Sequence, residues 1–369
     1  MQDNEKKPAL RFKGFTDPWE QRKLGEMVDV CSGMDYKHLS EGDIPVYGTG
    51  GYMLSVNKAL SYDRNAVGIG RKGTIDKPYI LKAPFWTVDT LFYAIPKDSK
   101  NIDFTFDVFQ KVDWKKKDES TGVPSLSKIA INETSISTPS KLEQERIGSF
   151  FRNLDTLITL HQRKYEKLVN IKKSMLDKMF PQNGASVPEI RFKGFTDPWE
   201  QRKVREVTDR YDNLRIPVAA SLRVAGTTPY YGANGIQDYV EGYTHDGEFI
   251  LVAEDGANDL KNYPVKCVKG RIWVNNHAHV LQGKCACADN QFLAYAISQA
   301  DIESLLVGGG RAKLNAETLM DIELLLPSKD EQIQIGHYLA RLDHLITLHQ
   351  RKLEKLQNIK KSCLEKMFV

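Results

Sequence analysis

The sequence IGSFFRNLDTLITLHQRKYEKLVNIKKSMLDKMF at residues 147–180 returns at residues 335–368 as IGHYLARLDHLITLHQRKLEKLQNIKKSCLEKMF. The two copies share 24 of 34 residues, and their central LITLHQRK is unchanged. A second repeat precedes each copy, because RFKGFTDPWEQRK at residues 11–23 is found again at residues 191–203. A period of about 180 residues is far longer than that of a solenoid or propeller. The chain therefore contains two copies of a whole domain.

The repeated block has the heptad pattern of a long helix, with seam residues at alternating steps of four and three. These seam positions include Leu154, Ile158, His161 and Leu168 in the first copy, and Leu342, Ile346, His349 and Leu356 in the second. Leu157, Leu160 and their counterparts Leu345 and Leu348 widen the apolar face, so each helix can pack on more than one neighbour. The pattern predicts that the two helices pack on each other as a long coiled-coil pair, and an antiparallel pair would relate the halves by a pseudo-two-fold axis. Such a pair is either a spacer or only a core-forming stem.

Outside these helices the sequence is typical of mixed α/β units. Short β-type runs broken by glycine and proline occur at 43–52, 66–69, 79–81, 85–95, 230–240, 249–253 and 271–281. Helical patterns occur near 104–116 and 290–306. We predict an α/β (α+β) architecture with variable domains at 1–140 and 182–326, a central helix at 141–181 and a C-terminal helix at 327–369.

Composition excludes several classes of protein. The 369 residues contain 52 Lys+Arg and 48 Asp+Glu, so the formal charge is only +4 and any nucleic-acid surface must be local. No segment approaches the roughly 18 apolar residues of a membrane span, and the first ten residues lack the apolar core of a signal peptide. The five scattered cysteines do not suggest a disulfide framework. We expect a cytoplasmic protein with reduced thiols and no membrane contact.

Glycine-rich loops provide the candidate binding residues. The segment 68–73, GIGRKG, matches GxGxxG. A dinucleotide site would need a helix directly after it, but Pro78 and the β-branched Thr74 and Ile75 are incompatible with a helix there. A turn that carries Arg71 and Lys72 can instead contact a phosphate or a guanine edge of DNA. The turns VYGTGGY near Gly48 and YYGANGI near Gly232 allow equally close approach, although both are also typical of plain hairpins.

The sequence offers no catalytic constellation and only a weak metal motif. There is no Walker A sequence, and the DPW fragments lack the second proline of an adenine-flipping motif. His277, His279, Cys285 and Cys287 form an HxH and a CxC pair with the wrong spacing for a zinc ribbon, and alternate residues of a strand share one face for packing reasons alone. We predict neither catalytic residues nor a metal site in this chain.

Taken together, these motifs resemble the specificity subunit of type I restriction-modification systems over the whole chain. The resemblance rests on DPWEQRK, on the VYGTGGY and YYGANGI turns, on VGIGRKGT, TGVPSLS and GGGRAKLN, and on the repeated helix. It implies that two target-recognition domains each read half of a bipartite double-stranded DNA site. The half-sites would then lie about one helical turn, roughly 34 Å, apart. The implied DNA contacts are Tyr47, Gly48, Thr49, Gly50, Arg71, Lys72, Thr74, Tyr230, Tyr231, Gly232, Asn234, Glu254, Asp255, Asn276, Arg311 and Lys313.

The resemblance also implies partners and a division of labour. The two long helices would form an antiparallel coiled coil that serves as the spacer and binds two methyltransferase subunits, and a restriction/translocase subunit would join the complex. S-adenosylmethionine, ATP and Mg²⁺ would bind to those partners, so this chain would hold no cofactor and would not itself be an enzyme. Glu254 and Asp255 replace the Arg-Lys of the first half, where they can accept hydrogen bonds from cytosine N4. The alternative is a non-catalytic scaffold whose two loop-rich domains bind proteins.

Overall fold

The computed structural model describes residues 7–97, 101–182, 184–308 and 312–369. They form two compact units, and each unit contains part of both long helices. The first unit extends to Arg163 and includes Gln350–Val369, whereas the second is Lys164–His349. Within the described ranges, every helix is too short or too polar to cross a membrane.

The first unit consists of short strands around one helix and the ends of the long helices. Its elements are β1 (Glu20–Lys23), α1 (Leu24–Met27), β2 (Val28–Ser32), β3 (Glu41–Gly48), β4 (Gly51–Val56), β5 (Ala66–Gly70), β6 (Tyr79–Leu81), β7 (Trp86–Thr87), β8 (Leu91–Pro96), α2 (Ile102–Lys111), α3 (Lys128–Asn132), β9 (Ser135–Thr138) and the start of α4 (Lys141–Met179). A 3₁₀ turn at Trp114–Lys117 follows α2.

The second unit repeats this order. Its elements are β10 (Glu200–Lys203), α5 (Val204–Val207), β11 (Thr208–Arg210), β12 (Ala225–Gly232), β13 (Gly235–Val240), β14 (His245–Ala253), β15 (Val265–Val274), β16 (Ala278–Gly283), α6 (Asn290–Ser298), α7 (Ala316–Asp321), β17 (Glu323–Leu326) and the start of α8 (Lys329–Met367). Further 3₁₀ turns lie at Asp212–Leu214, Ala220–Leu222 and Glu303–Leu305.

The two units have the same strand order but differ at one break. In the second unit six strands form one sheet in the order β11-β16-β14-β15-β12-β13. In the first unit the order splits into β2-β8-β5-β6 and β4-β3-β7. The ten-residue β15 corresponds to β6 and β7 together, and Pro84, which has no N–H to donate to a ladder, lies in the gap between them. The predicted run 85–95 is therefore two strands joined by a turn, and so is the run 271–281.

The repeated RFKGFTDPWEQRK motif anchors each unit to a long helix. The Arg11 guanidinium donates two hydrogen bonds to the Glu143 carboxylate at 2.6 and 2.7 Å, and Arg191 binds Glu331 in the same way at 2.7 and 2.7 Å. Trp19 is buried against Phe104 and Phe368, and its duplicate Trp199 is buried against Phe180 and Phe292. The tryptophan of each DPW fragment is thus part of the core, whereas the aspartate and proline before it are exposed.

The two predicted long helices are present as α4 and α8. In the first unit they run antiparallel, since Phe151 lies 6.0 Å from Phe368 between ring centroids and Asp155 accepts a hydrogen bond from Lys360 at 2.6 Å. The duplicate ion pair in the second unit joins Lys172 to Asp343 at 2.6 Å. The antiparallel packing is therefore confirmed inside the first unit, whereas a coiled coil along the whole length and the pseudo-two-fold axis stay predictions.

Candidate nucleic-acid interface

In the first unit, the hairpin turn after β3 and the loop after β5 both contact the turn at 88–91. The Val88 N–H donates to the Tyr47 carbonyl oxygen at 3.0 Å, and the Arg71 N–H donates to the Thr90 carbonyl oxygen at 2.8 Å. The guanidinium of Arg71 also lies 5.8 Å from the ring centroid of Phe92. The predicted glycine turn and the predicted Arg-Lys turn therefore lie on either side of one shared turn.

A third loop, at 119–127, completes this end of the unit. The Gly73 N–H donates to the Pro124 carbonyl at 2.9 Å, and the Leu126 N–H donates to the Arg71 carbonyl at 3.0 Å. The carboxylate of Asp118 holds the loop, because it accepts bonds from the N–H groups of Ser125 and Ser120 at 2.9 and 3.0 Å. Those two hydrogen bonds also keep the pKa of Asp118 below its ordinary value.

The loop after β5 and the loop 119–127 border a basic cleft of about 410 Å³, whose lining also includes Ser32 and Phe92. Arg71, Lys72 and Lys128 supply three exposed cations, and Ser125 and Ser127 supply hydroxyl groups beside them. Glu119 is the one carboxylate in the lining. Cations, hydroxyl groups and loop N–H groups can donate hydrogen bonds to phosphate oxygens and to the acceptor atoms of a guanine edge.

The glycines of GIGRKG have structural roles in the loop that borders this cleft. A Cβ on Gly70 would lie 2.0 Å from the Thr74 carbonyl oxygen, so only glycine permits the tight return of this loop. Gly73 has a φ of +88°, which a residue with a side chain rarely adopts. These features shape a turn after β5, and no helix follows it, because β6 is the next element.

In the second unit, the side chain of Asn234 joins two of the predicted loops. Its amide nitrogen donates to the Gly256 carbonyl at 2.9 Å, and its amide oxygen accepts from the Asn258 N–H at 2.9 Å. The Asn275 N–H donates to the Tyr231 carbonyl at 3.0 Å, and the Leu314 N–H donates to the Glu254 carbonyl at 2.7 Å. The hairpin turn and the loops 254–258, 275–277 and 313–314 therefore share one end of the unit.

Hydrogen bonds show which residues of the two units are equivalent. Leu126 binds the carbonyl of Arg71 just as Leu314 binds that of Glu254, and the bridge from Lys72 to Ser125 corresponds to that from Asp255 to Lys313. Arg71 and Lys72 thus occupy the positions of Glu254 and Asp255. Equivalent loops on one scaffold carry opposite charges.

An ion network neutralises the acidic loop of the second unit. The carboxylate of Glu254 binds Arg215 at 2.6 Å and Lys313 at 2.9 Å. Burial alone would raise the pKa of Glu254, but the hydrogen bonds from Lys313 and Arg215 outweigh it and lower the pKa. Burial also opposes ionisation of Asp212, whose pKa is lowered overall by its hydrogen bonds from His279 and from the Val280 N–H. Sequence reasoning missed Arg215, which lies about 40 positions from Glu254 along the chain.

The same network contains three side chains of the kinds that bind metal ions. Among the described residues, Asp212, Glu254 and His279 are the one group whose potential ligand atoms lie within 4.8 Å of one another. However, the two ring nitrogens of His279 already bind Asp212 at 2.7 Å and the Leu314 carbonyl at 2.9 Å. Arg215 and Lys313 supply the positive charge that a metal ion would bring, so this arrangement is an ion network and does not fit a metal. The HxH and CxC residues noted in the sequence do not form such a group.

Burial separates the candidate contacts into three sets. Arg71, Lys72, Gly50, Asn234, Asn276 and Lys313 are exposed, and Tyr47, Thr49, Thr74, Glu254 and Asp255 are half-buried. Gly48, Tyr231 and Gly232 are buried, and Tyr230 is only 1% exposed. The Tyr230 hydroxyl accepts from the Val218 N–H at 2.9 Å, and Arg223 lies over its ring, so its side chain is structural. Arg311 lies outside the described residues.

The seam residues of the long helices also divide by burial. Leu154 and Leu342 belong to the hydrophobic cores, and His349 is buried, whereas Ile158, His161, Leu168, Ile346 and Leu356 are half-buried. By contrast, the residues that widen the apolar face remain exposed. The exposed fractions are 45% and 56% for Leu157 and Leu160, and 38% and 37% for Leu345 and Leu348. The exposed apolar surface is therefore beside the seam and is duplicated on α4 and α8.

Comparisons with known proteins agree with this architecture. The family model described as type I restriction modification DNA specificity domain matches residues 16–170 and 196–358. A protein of Haemophilus influenzae, named as a type I restriction enzyme specificity subunit, is 44% identical over 146 residues, which are 40% of this chain and 38% of that protein. The MjaVIII specificity subunit of Methanocaldococcus jannaschii is 22% identical over 275 residues, 68% of this chain and 65% of its own length. The chain thus spans less than two thirds of the length of these relatives.

A solved structure supports the fold. The crystal structure of the S subunit of the type I restriction-modification system from M. genitalium superimposes with a TM-score of 0.79. The match covers 98% of this chain and 99% of that one at 13% sequence identity, so it bears on the fold alone. With the family model matched in both halves, this chain belongs to the type I restriction-modification DNA specificity family.

Proposed function

We propose that this chain is the DNA sequence-recognition subunit of a type I restriction-modification complex that acts in the cytoplasm. Each unit reads one half of a bipartite double-stranded site with the loops that carry its predicted DNA contacts. The first unit uses Arg71, Lys72 and Lys128 around the basic cleft. The second uses Asn234, Asn276 and Lys313, and the Asp255 carboxylate, which binds the His277 imidazole, takes the place of Lys72.

The observation that carries this proposal is the charge reversal on equivalent loops. Strand order, core and helix anchors are duplicated in the two units, whereas Arg71 and Lys72 are replaced by Glu254 and Asp255. Guanine presents acceptors in the major groove and cytosine presents an amino donor, so cations and carboxylates at one position favour different bases. A duplicated scaffold with divergent loops is what two half-sites of different sequence require.

The remaining activities belong to partners in this proposal. Two methyltransferase subunits dock on the exposed leucines beside the seam, which are Leu157 and Leu160 on α4 and Leu345 and Leu348 on α8. Those subunits bind S-adenosylmethionine and methylate adenine, and a restriction/translocase subunit uses ATP and Mg²⁺ to cut unmodified DNA. Apolar patches of this kind are typical of protein interfaces, and the duplicated positions offer the same surface twice.

The test is selection of bound DNA. The full chain is reconstituted with a methyltransferase subunit of its own system, mixed with random duplexes at about 0.15 M salt, and the retained fragments are sequenced. We expect a motif of two short constant blocks separated by an unread gap. Fragments without any shared motif would contradict the proposal and favour the protein-binding scaffold instead.

A loop exchange sharpens this experiment. The double variant R71E/K72D places the acidic residues of the second unit on the loop of the first. We expect it to change one constant block and to leave the other block and the gap as they are in the parent. The same change in both blocks, or in neither, would show that the loops do not read separate half-sites.

A further inference from the structure

Helices α2 and α6 pack against the long helices in equivalent ways. Asn101 caps α2 through the Phe104 N–H at 3.0 Å, and Asp289 caps α6 through the Phe292 N–H at 2.8 Å. A Cβ on Gly148 of α4 would lie 2.7 Å from the Phe104 nitrogen, and one on Gly336 of α8 would lie 2.9 Å from the Phe292 nitrogen. Both contacts therefore require glycine. Because α2 and α6 pack in the same way, residues 188 positions apart in the two units occupy equivalent positions.

In the second unit, a tyrosine joins α6 to the duplicated ion pair. The Tyr295 hydroxyl donates to the Asp343 carboxylate at 2.6 Å, and Asp343 also binds Lys172 at 2.6 Å. The Lys172 ammonium lies 5.5 Å from the centroid of the Tyr295 ring, where a cation is attracted to the π electrons. Carboxylate, ammonium and phenol thus satisfy one another.

In the first unit, the same carboxylate and ammonium are present but the phenol is missing. Asp155 and Lys360 correspond to Asp343 and Lys172, and they bind at 2.6 Å. The position of Tyr295 is occupied by Asp107, which lines a cleft of about 300 Å³ between α2 and α4. Phe106, Leu160 and Ile80 form the apolar walls of this cleft, and Asp155 lies in its lining.

Asp107 is an unusual residue for the floor of a cleft. It is 1% exposed, and within the described part of the chain its Oδ2 atom has no hydrogen-bond partner. Burial, together with the charges of Asp155 and Asp103, raises the pKa of Asp107 well above its ordinary value despite the opposing charge of Lys360. A buried carboxyl oxygen without a partner is destabilising, and the short Asp107 side chain stands where the second unit has the large ring of Tyr295.

The cleft is continuous with the exposed apolar surface of α4. Leu160 lines it and is 56% exposed, and Leu157 lies one turn away on the same helix. The lining also contains two cations, Arg152 and Arg163, and the carboxylates of Asp103 and Asp155 are already paired with Arg152 and Lys360. A neutral ring with a hydroxyl group, as in Tyr295, fits both the walls and the carboxyl groups.

Resting on the proposed function, we propose that the cleft at Asp107 is a socket for a tyrosine side chain of the methyltransferase subunit that docks on Leu157 and Leu160. The guest hydroxyl donates to Asp155, as the Tyr295 hydroxyl does to Asp343, and its ring lies between Phe106 and Leu160. The second unit fills this position with its own Tyr295. The two docking surfaces therefore differ in this one contact.

The test compares two substitutions of one residue. Asp107→Tyr fills the socket from within, whereas Asp107→Asn removes the charge but leaves the space open. Binding of the methyltransferase subunit to the full chain is followed by titration calorimetry, and the stoichiometry by native mass spectrometry. We expect Asp107→Tyr to weaken one of the two binding steps by tenfold or more and to leave the other unchanged, and Asp107→Asn to bind nearly as the parent does.

Two further measurements secure the result. Thr159→Trp blocks the cleft from its exposed rim, so it should weaken the same step even if Asp107→Tyr does not fold. Binding of 4-methylphenol, a free analogue of the tyrosine side chain, is measured by NMR on the parent chain and on Asp107→Tyr, which should lose it.

The proposal is overturned if both binding steps survive Asp107→Tyr and Thr159→Trp unchanged, or if Asp107→Asn weakens binding as much as Asp107→Tyr. If the parent chain binds 4-methylphenol but Asp107→Tyr and Thr159→Trp still bind both subunits normally, the cleft binds a free phenol and is not a socket for the partner. A parent chain that binds no methyltransferase subunit at all would refute the proposed function together with the socket.

Discussion

Removal of the two exposed cations of the basic cleft should weaken DNA binding without unfolding the chain. Arg71 and Lys72 are exposed, and the loop that carries them is held by backbone hydrogen bonds to Thr90 and Pro124. Substitution by alanine leaves those backbone bonds in place. We therefore expect Arg71→Ala, Lys72→Ala and the double variant to melt within about 1 °C of the parent, since exposed side chains contribute little to stability.

The size of the effect follows from counterion release. Each phosphate contact releases about 0.9 counterions, which at about 0.15 M salt is worth roughly fivefold in affinity, or about 1 kcal/mol. Loss of both contacts should weaken binding about 25-fold and flatten the salt slope by about 1.8. If Arg71 contacts a guanine instead of a phosphate, its removal should cost roughly 1–3 kcal/mol of binding free energy on the cognate site only.

The assay is fluorescence anisotropy of the reconstituted complex on cognate and random duplexes between about 0.05 and 0.3 M salt. Lys77→Ala is the matched control, because Lys77 is exposed in the same β5–β6 loop but lines a different cleft. Unchanged affinity and salt slope in the double variant would refute the reasoning, and so would an equal loss in Lys77→Ala.

Three other changes test the scaffold. Glu331→Gln removes the buried negative charge opposite Arg191 and replaces one of its two acceptor oxygens by an amide NH₂ group, so calorimetry should show a loss of about 3 kcal/mol in the free energy of unfolding. An unchanged melting temperature would contradict the anchor. Gly70→Ala should displace the Arg-Lys loop, because its Cβ would lie 2.0 Å from the Thr74 carbonyl oxygen; DNA affinity equal to that of the parent would show that the loop tolerates it. Asp212 and Glu254 have lowered pKa values in the folded chain, so their ionised forms stabilise the fold above the unfolded pKa of about 4, and this contribution is lost as the pH falls through the folded pKa values. Between about pH 5 and pH 3, Glu254→Gln should therefore lose less free energy of unfolding than the parent in urea titrations. Parallel curves for the two chains would exclude that contribution.

Much of the fold was accessible from the sequence. The heptad steps predicted two long helices, and these are present as Lys141–Met179 and Lys329–Met367. The repeat predicted two similar units, and the strands Tyr79–Leu81 and Ala66–Gly70 lie where β-type runs broken by glycine and proline predicted them. Such signals are local, because side-chain spacing along one segment determines which face it can bury.

The candidate site was predictable only in part. Glycine turns showed which loops allow close approach, but they did not show that Tyr230 is buried or that Gly48 and Gly232 are covered. Arg215, which neutralises Glu254, carries no local pattern that marks it. These properties depend on residues far apart in the chain.

The sequence by itself determined the duplication, the helices and the loops that differ between the two halves, since each is written in the order and spacing of neighbouring residues. Only the tertiary structure decided that Arg215 and Lys313 bind Glu254 and that Asp107 stands where the other half has Tyr295. The reason is that such features depend on hydrogen-bond partners and packing contacts many residues away. Neither one-dimensional spacing nor residue type specifies which distant backbone group a loop will meet.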